Sequence, residues 1–188
     1  MNDVLLNLPS WTITRVAGLA GYYSLFIGVM LGIVHGMPNV KGKWKKRSYA
    51  WHARMQAAGL FLSIAHVMIL SIDTYSPFTW GQLLLPFSYP ENRIVYGMGS
   101  MALYGLLFIL LTTDFKSLLS RRIWLIFHMA AYPVFFLALV HGLIAGTDTN
   151  NPFVFWSYLG TATALVLITF IRVGTEGIAP KRRSTSIS

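Results

Sequence analysis

Five apolar stretches, each long enough to cross a bilayer as a helix, govern what this chain can fold into. They are Trp11–Gly36, Tyr49–Ile72, Arg93–Thr113, Arg122–Gly146 and Phe153–Val173. A hydrocarbon core takes roughly 20 mostly apolar residues to span as a helix. The sequence therefore predicts an all-α integral membrane protein, a multi-pass bundle of about five transmembrane helices in the cell membrane, surrounded by lipid. Composition agrees: 55% of the 188 residues are hydrophobic and 11% charged, against about a quarter charged in soluble domains. Thr79 to Phe87 is apolar but short and closes on Pro86 and Pro90. It reads as an interfacial or re-entrant piece.

The formal net charge of +9 would suit a nucleic-acid binder, but the charges are divided among loops flanking the spans. Thirteen of the 15 basic residues fall on one side: Lys41 to Arg47 with Arg54, then Lys116, Arg121 and Arg122, then Arg172 and the tail. Arg15 and Arg93 fall on the other, with Asp73, Glu91 and Asp148. Basic loops mark the cytoplasmic side, so the N-terminus is expected outside, the C-terminus in the cytoplasm, and no nucleic acid is expected as a partner. Met1 to Ser10 has no basic region, so the first span reads as a retained helix rather than a cleaved signal. The expected organisation is an outer segment, 1–10, a transmembrane domain, 11–175, and a disordered basic tail, 176–188. With no cysteine, disulfides, iron–sulfur clusters and covalent c-type haem are excluded.

Ionisable residues within spans are costly and mark function. The second span carries His52 and His66, the fourth His128 and His141. These spans run in the same direction, so depths match in pairs: His52 with His128 near the cytoplasm, His66 with His141 near the outer face. Spacings of 14 and 13 residues separate the two levels by roughly 20 Å at about 1.5 Å per residue. Two imidazoles at each level are what bis-histidine haem ligation needs, and two b-type haems stacked this way would cross most of the membrane. The spacing of 14 keeps His52 and His66 on one face. The spacing of 13 does not, and Pro133, which breaks the helical ladder, is the expected place for a kink that repairs the phase.

Arg15, near the depth of His66, is a candidate donor to an outer haem propionate, and Arg54 to an inner one; for Arg15, snorkelling to the interface is the plain alternative. Ala57, Ala58 and Gly59 lie midway between His52 and His66, and Ala130, Ala131 and Ala138 lie by the other pair. Small residues let a macrocycle approach, or simply pack helices. His35 has no partner at its depth and reads as interfacial. Tyr132, Trp124, Trp51, Phe135 and Phe136 are aromatic neighbours, expected to pack.

Four stretches carry a resemblance: Thr14 to Gly18; Trp51-His52-Ala53-Arg54 with His66; Leu84 to Phe87; and Trp124, His128 and Tyr132 with His141 to Asp148. Over about Ile13 to Val173 the chain resembles the ferric-reductase-like transmembrane domain superfamily, which includes ferric reductases, NADPH oxidases and the haem subunit of the bacterial methionine sulfoxide reductase system. The resemblance implies a diheme bundle passing electrons from a cytoplasmic flavin to an outer acceptor, with His52 and His128 on the inner haem and His66 and His141 on the outer. Complete ferric reductases and oxidases continue into FAD and NADPH domains. No Gly-rich dinucleotide fingerprint occurs here, so the expectation is the membrane electron-transfer subunit of an oxidoreductase. Its flavin or quinone would come from a partner, a separate flavoprotein or a quinol donor, and its acceptor would be an extracytoplasmic reductase or a ferric species. The rival readings are a quinol-oxidising cytochrome b of another family and, in a different class, a metal-ion transporter or non-catalytic membrane subunit.

Overall fold

The computed structural model describes residues 9–73 and 78–178, and every regular element in these residues is helical. In chain order they are α1 (Ser10–Gly36), α2 (Gly42–Leu70), the short α3 (Trp80–Leu84), α4 (Arg93–Asp114), α5 (Arg121–Met129), α6 (Ala131–Ala145) and α7 (Pro152–Ile178). Single 3₁₀ turns, Lys116–Leu118 and Thr147–Asn150, precede α5 and α7. Five units are long and apolar enough to cross a membrane, α5 and α6 counting as one. Their large apolar side chains stand outward: Phe61 and Phe170 are each 71% exposed, as suits side chains that face lipid.

Local chemistry explains most boundaries. α1 ends where Pro38 holds Met37 extended (ψ 136°), as a residue before proline must be. α3 opens with a capping box: the Thr79 hydroxyl accepts from the Gln82 backbone N–H, and the Gln82 side-chain Oε1 accepts from the Thr79 backbone N–H. Ser120 caps α5 by accepting from the Ile123 N–H. α7 starts with Pro152 at its first position, where its missing N–H costs nothing, and the Asn151 side chain accepts from the Phe153 N–H.

Two spans depart from the sequence reading. α2 begins at Gly42, not Tyr49, so Lys43, Lys45, Lys46 and Arg47 lie on its first turns rather than in a loop. Hydropathy marks where a helix enters the apolar layer, but Lys and Arg form helix well and continue it into water. α7 runs past residue 175 to Ile178; the rest of the tail lies outside the described residues, as does most of the N-terminal segment.

The fourth span is broken. Ala130 interrupts it between α5 and α6, with its N–H on the Phe127 carbonyl at 3.1 Å, a 3₁₀-type bond. Pro133 is the cause. It has no N–H for the Met129 carbonyl, and its ring excludes that carbonyl from the usual place.

The bundle has two tightly packed helix pairs, α1 with α2 and α4 with α6. A buried core of Tyr22, Val29, Ile33, Phe135, Leu139, Tyr158 and Leu165 joins α1, α6 and α7. Within it Tyr22 stacks on Phe135 (5.4 Å between ring centres) and meets Tyr158 (4.5 Å).

Candidate functional site

Of the four span histidines, His52 and His66 stand on α2, His128 on α5 and His141 on α6, and three of them are seated alike. His66 Nδ1 lies 2.9 Å from the Thr14 carbonyl oxygen, His52 Nδ1 2.7 Å from that of Gly28, and His141 Nδ1 2.9 Å from that of Val95. A carbonyl can only accept, so each Nδ1 must carry the proton. When such a ring is neutral, Nε2 carries the lone pair, the tautomer a metal ligand needs, and the contact is the kind of outer hydrogen bond that accompanies metal-bound histidine.

The seats share a second feature. Four residues beyond each accepting carbonyl stands a glycine: Gly18 after Thr14, Gly32 after Gly28, Gly99 after Val95. In a helix the i+4 N–H bonds the same carbonyl, whose second lone pair takes the imidazole. Glycine clears the space. A Cβ on Gly18 would stand 3.0 Å from His66 Nδ1, one on Gly32 3.0 Å from His52 Nδ1, and one on Gly99 2.8 Å from His141 Cε1. The repeat is set by antiparallel register. Thr14 and Gly28 are 14 residues apart on α1, as His52 and His66 are on α2, so both seats recur at one helix contact.

His35 uses the register in reverse. Its Nδ1 lies 3.0 Å from the α2 carbonyl of Lys45 and its ring beside Tyr49 (5.3 Å). It clips the end of α1 to the start of α2, in keeping with an interfacial role.

His128 has no seat. Its Nδ1 is buried without a hydrogen-bond partner. The ring is stacked on Trp124 (4.9 Å between centres, 23° between planes), whose Nε1 donates to Thr113 Oγ1. Its other face of contact is His52, 6.0 Å between ring centres with planes at 73°. Two imidazoles on opposite sides of one metal, with bonds of about 2.0–2.1 Å, have ring centres roughly 6 Å apart or slightly more.

His66 and His141 both line one cavity, with Gly18, Gly99, Ala138 and the Arg15–Asp148 pair. Its lining is mainly apolar with a few polar groups, the usual character of a cofactor site. Arg15 is held by Asp148 in a forked ion pair, Nε donating to Oδ2 at 2.8 Å and Nη2 to Oδ1. Arg54 is exposed and lies over the Trp51 ring at 5.4 Å. Gly59 faces α1: a Cβ there would meet the Leu25 side chain at 2.5 Å. Its smallness serves helix packing.

Among the described residues no group of three or more His, Cys, Asp or Glu side chains forms a metal site. The chain offers imidazoles in pairs. A metal held by protein alone usually takes three or four ligands, whereas haem iron takes its equatorial bonds from the macrocycle and asks the protein for axial ones. The donor set fits that group. Compared with known families, characterised proteins and solved structures, the chain matches none.

The sequence reading put forward the four histidines with Arg15 and Arg54; the structure pairs Arg15 with Asp148 and lays Arg54 over Trp51. That reading missed the acceptor carbonyls and Gly32 and Gly99. The available signal was the pair Gly18 and Gly32, which repeats the 14-residue interval of His52 and His66 on the adjoining span.

Proposed function

We propose that this chain is a diheme b-type membrane cytochrome of ferric-reductase-like type. It passes electrons from a cytoplasmic flavoprotein to an extracytoplasmic acceptor. His52 and His128 hold one haem, His66 and His141 the other. Bound haem supplies one-electron chemistry; the chain supplies axial nitrogens, burial and local charge. The observation that carries the reading is the seating of His52, His66 and His141, each with Nδ1 against a backbone carbonyl, which leaves Nε2 as the nitrogen able to ligate. Interior imidazoles with fixed tautomers are expected of ligands; surface or snorkelling histidines have no need of them.

Two levels 14 residues apart on α2 lie roughly 20 Å apart along the helix, so one electron step between them covers most of the apolar layer. Arg15 and Asp148 set the charge beside the His66–His141 level. The basic first turns of α2, with no acid among them, suit an acidic donor protein on the cytoplasmic side. The test is a pyridine haemochrome assay on the purified chain, with redox difference spectra. Two b haems per chain are expected. A folded chain without haem after expression with ample haem supply refutes the proposal and favours a transporter or a non-catalytic subunit. Reduction by quinol alone, with no flavoprotein, would move the donor to the bilayer.

A further inference from the structure

The four histidines are not equivalent. His52, His66 and His141 each hold Nδ1–H against a carbonyl over a glycine. His128 Nδ1 is buried with no acceptor. With the proton on Nδ1 the ring can ligate through Nε2 but keeps a buried N–H unmet; with the proton on Nε2 that nitrogen cannot ligate. Its ring contacts are the stack on Trp124 and the edge of His52, and neither fixes the ring through a hydrogen bond. The residue also stands two positions before the break at Ala130, where the helical ladder is already open.

We infer that His128 is the exchangeable ligand, so that the His52–His128 level is where a small neutral exogenous ligand, such as carbon monoxide or free imidazole, binds in its place. The inference rests on the two-haem reading above. Exchange with carbon monoxide breaks one iron–nitrogen bond and forms one iron–carbon bond, with no electron or proton released. A ligand lacking its outer hydrogen bond is held about 10–100-fold less tightly, while the three seated histidines stay in place.

The test uses the full chain in detergent, with haem counted by pyridine haemochrome, reduced with dithionite and titrated with carbon monoxide. The expected result is one carbon monoxide per two haems. His66→Ala, altered at the other level, is expected to keep that uptake. His128→Ala, still held by His52, is expected to stay at one per chain while binding about 10–100-fold more tightly, and added imidazole restores the six-coordinate spectrum. No uptake by a wild type carrying two haems overturns the inference. So does a rise to two per chain in His128→Ala, which would assign the wild-type uptake to His66 and His141. If His128→Ala does not fold, His66→Ala decides: uptake abolished there overturns the inference as well. A wild type with no haem refutes the two-haem reading itself, a separate result.

Discussion

His66 on α2 donates its Nδ1 proton to the carbonyl of Thr14 on α1, 2.9 Å away, across a contact kept open by Gly18. The same relation recurs 14 residues along, between His52 and Gly28 over Gly32. The α1–α2 interface thus positions two imidazoles as well as packing two helices.

That device predicts unequal effects from equivalent glycine-to-alanine changes. A methyl on Gly18, Gly32 or Gly99 meets an imidazole at 2.8–3.0 Å, pushes the ring from its carbonyl and weakens cofactor binding about 10–100-fold, the usual cost of losing an outer-shell partner. Gly160→Ala, with nothing within 4 Å, is expected to keep full haem content and to gain slightly in helix stability, up to about 1 kcal/mol. Haem retained through detergent washing, measured for the four variants side by side, checks this. Equal retention in all four would remove any positioning role from the seats.

What could be read from the sequence follows from what a bilayer imposes. Span count and the depth-matched histidines are legible because thickness fixes length and depth. The break near Pro133 is legible because its cause is covalent. The seats are not, because a backbone acceptor leaves no residue type to notice, and Gly32 gains meaning only once α1 and α2 are in register. Gly59 shows the converse: a small residue midway between two histidines that faces Leu25. The early start of α2 escaped hydropathy because Lys and Arg are as helical as they are polar.

Ligand deletions should report the two levels separately. His66→Ala and His141→Ala are each expected to lower haem from two per chain toward one, leaving a common residual spectrum. His52→Ala should leave the complementary one. His35→Ala, which breaks only a clip to the Lys45 carbonyl, should keep both haems and lose on the order of 1 kcal/mol of stability. Haemochrome stoichiometry with thermal unfolding followed by circular dichroism decides; haem loss in His35→Ala would make it a ligand.

Arg15 and Asp148 form a forked pair on the wall of the His66–His141 cavity, so neutralising either has a signed consequence. Reduction adds negative charge. Removing the cation in Arg15→Gln should lower the midpoint potential of that level, and removing the anion in Asp148→Asn should raise it, each on the order of tens of millivolts. The His52–His128 level should move less, being roughly 20 Å away. Spectroelectrochemical titration reads both steps. Shifts of the same sign in the two variants would mean that a structural change, not charge, is being measured.

Pro133 tests the phase of the broken span. Pro133→Ala returns an N–H to the Met129 carbonyl, and the ladder can close through Ala130. A continuous helix would turn His128 away from the bearing that a 13-residue interval needs relative to His141, by more than a third of a turn at 3.6 residues per turn. Helical content should hold or rise slightly, while the haem at the His52–His128 level, left on the seated His52, loses its six-coordinate spectrum and the His66–His141 level keeps its own. Two fully six-coordinate haems would show that the break at Ala130 is incidental to ligation.

Orientation can be tested cleanly because the chain has no cysteine, so each introduced thiol is the only one. Thirteen of 15 basic residues lie on one side by sequence, and cytoplasmic loops are the basic ones. Ser117→Cys, in the turn between α4 and α5, should therefore resist a membrane-impermeant maleimide in intact cells and react once the membrane is opened. Asn150→Cys, in the turn before α7, should react in both. The reverse pattern would put the basic first turns of α2 outside. It would also reverse the sides assigned to the two haem levels and require an external donor, even with all four histidines ligating as described.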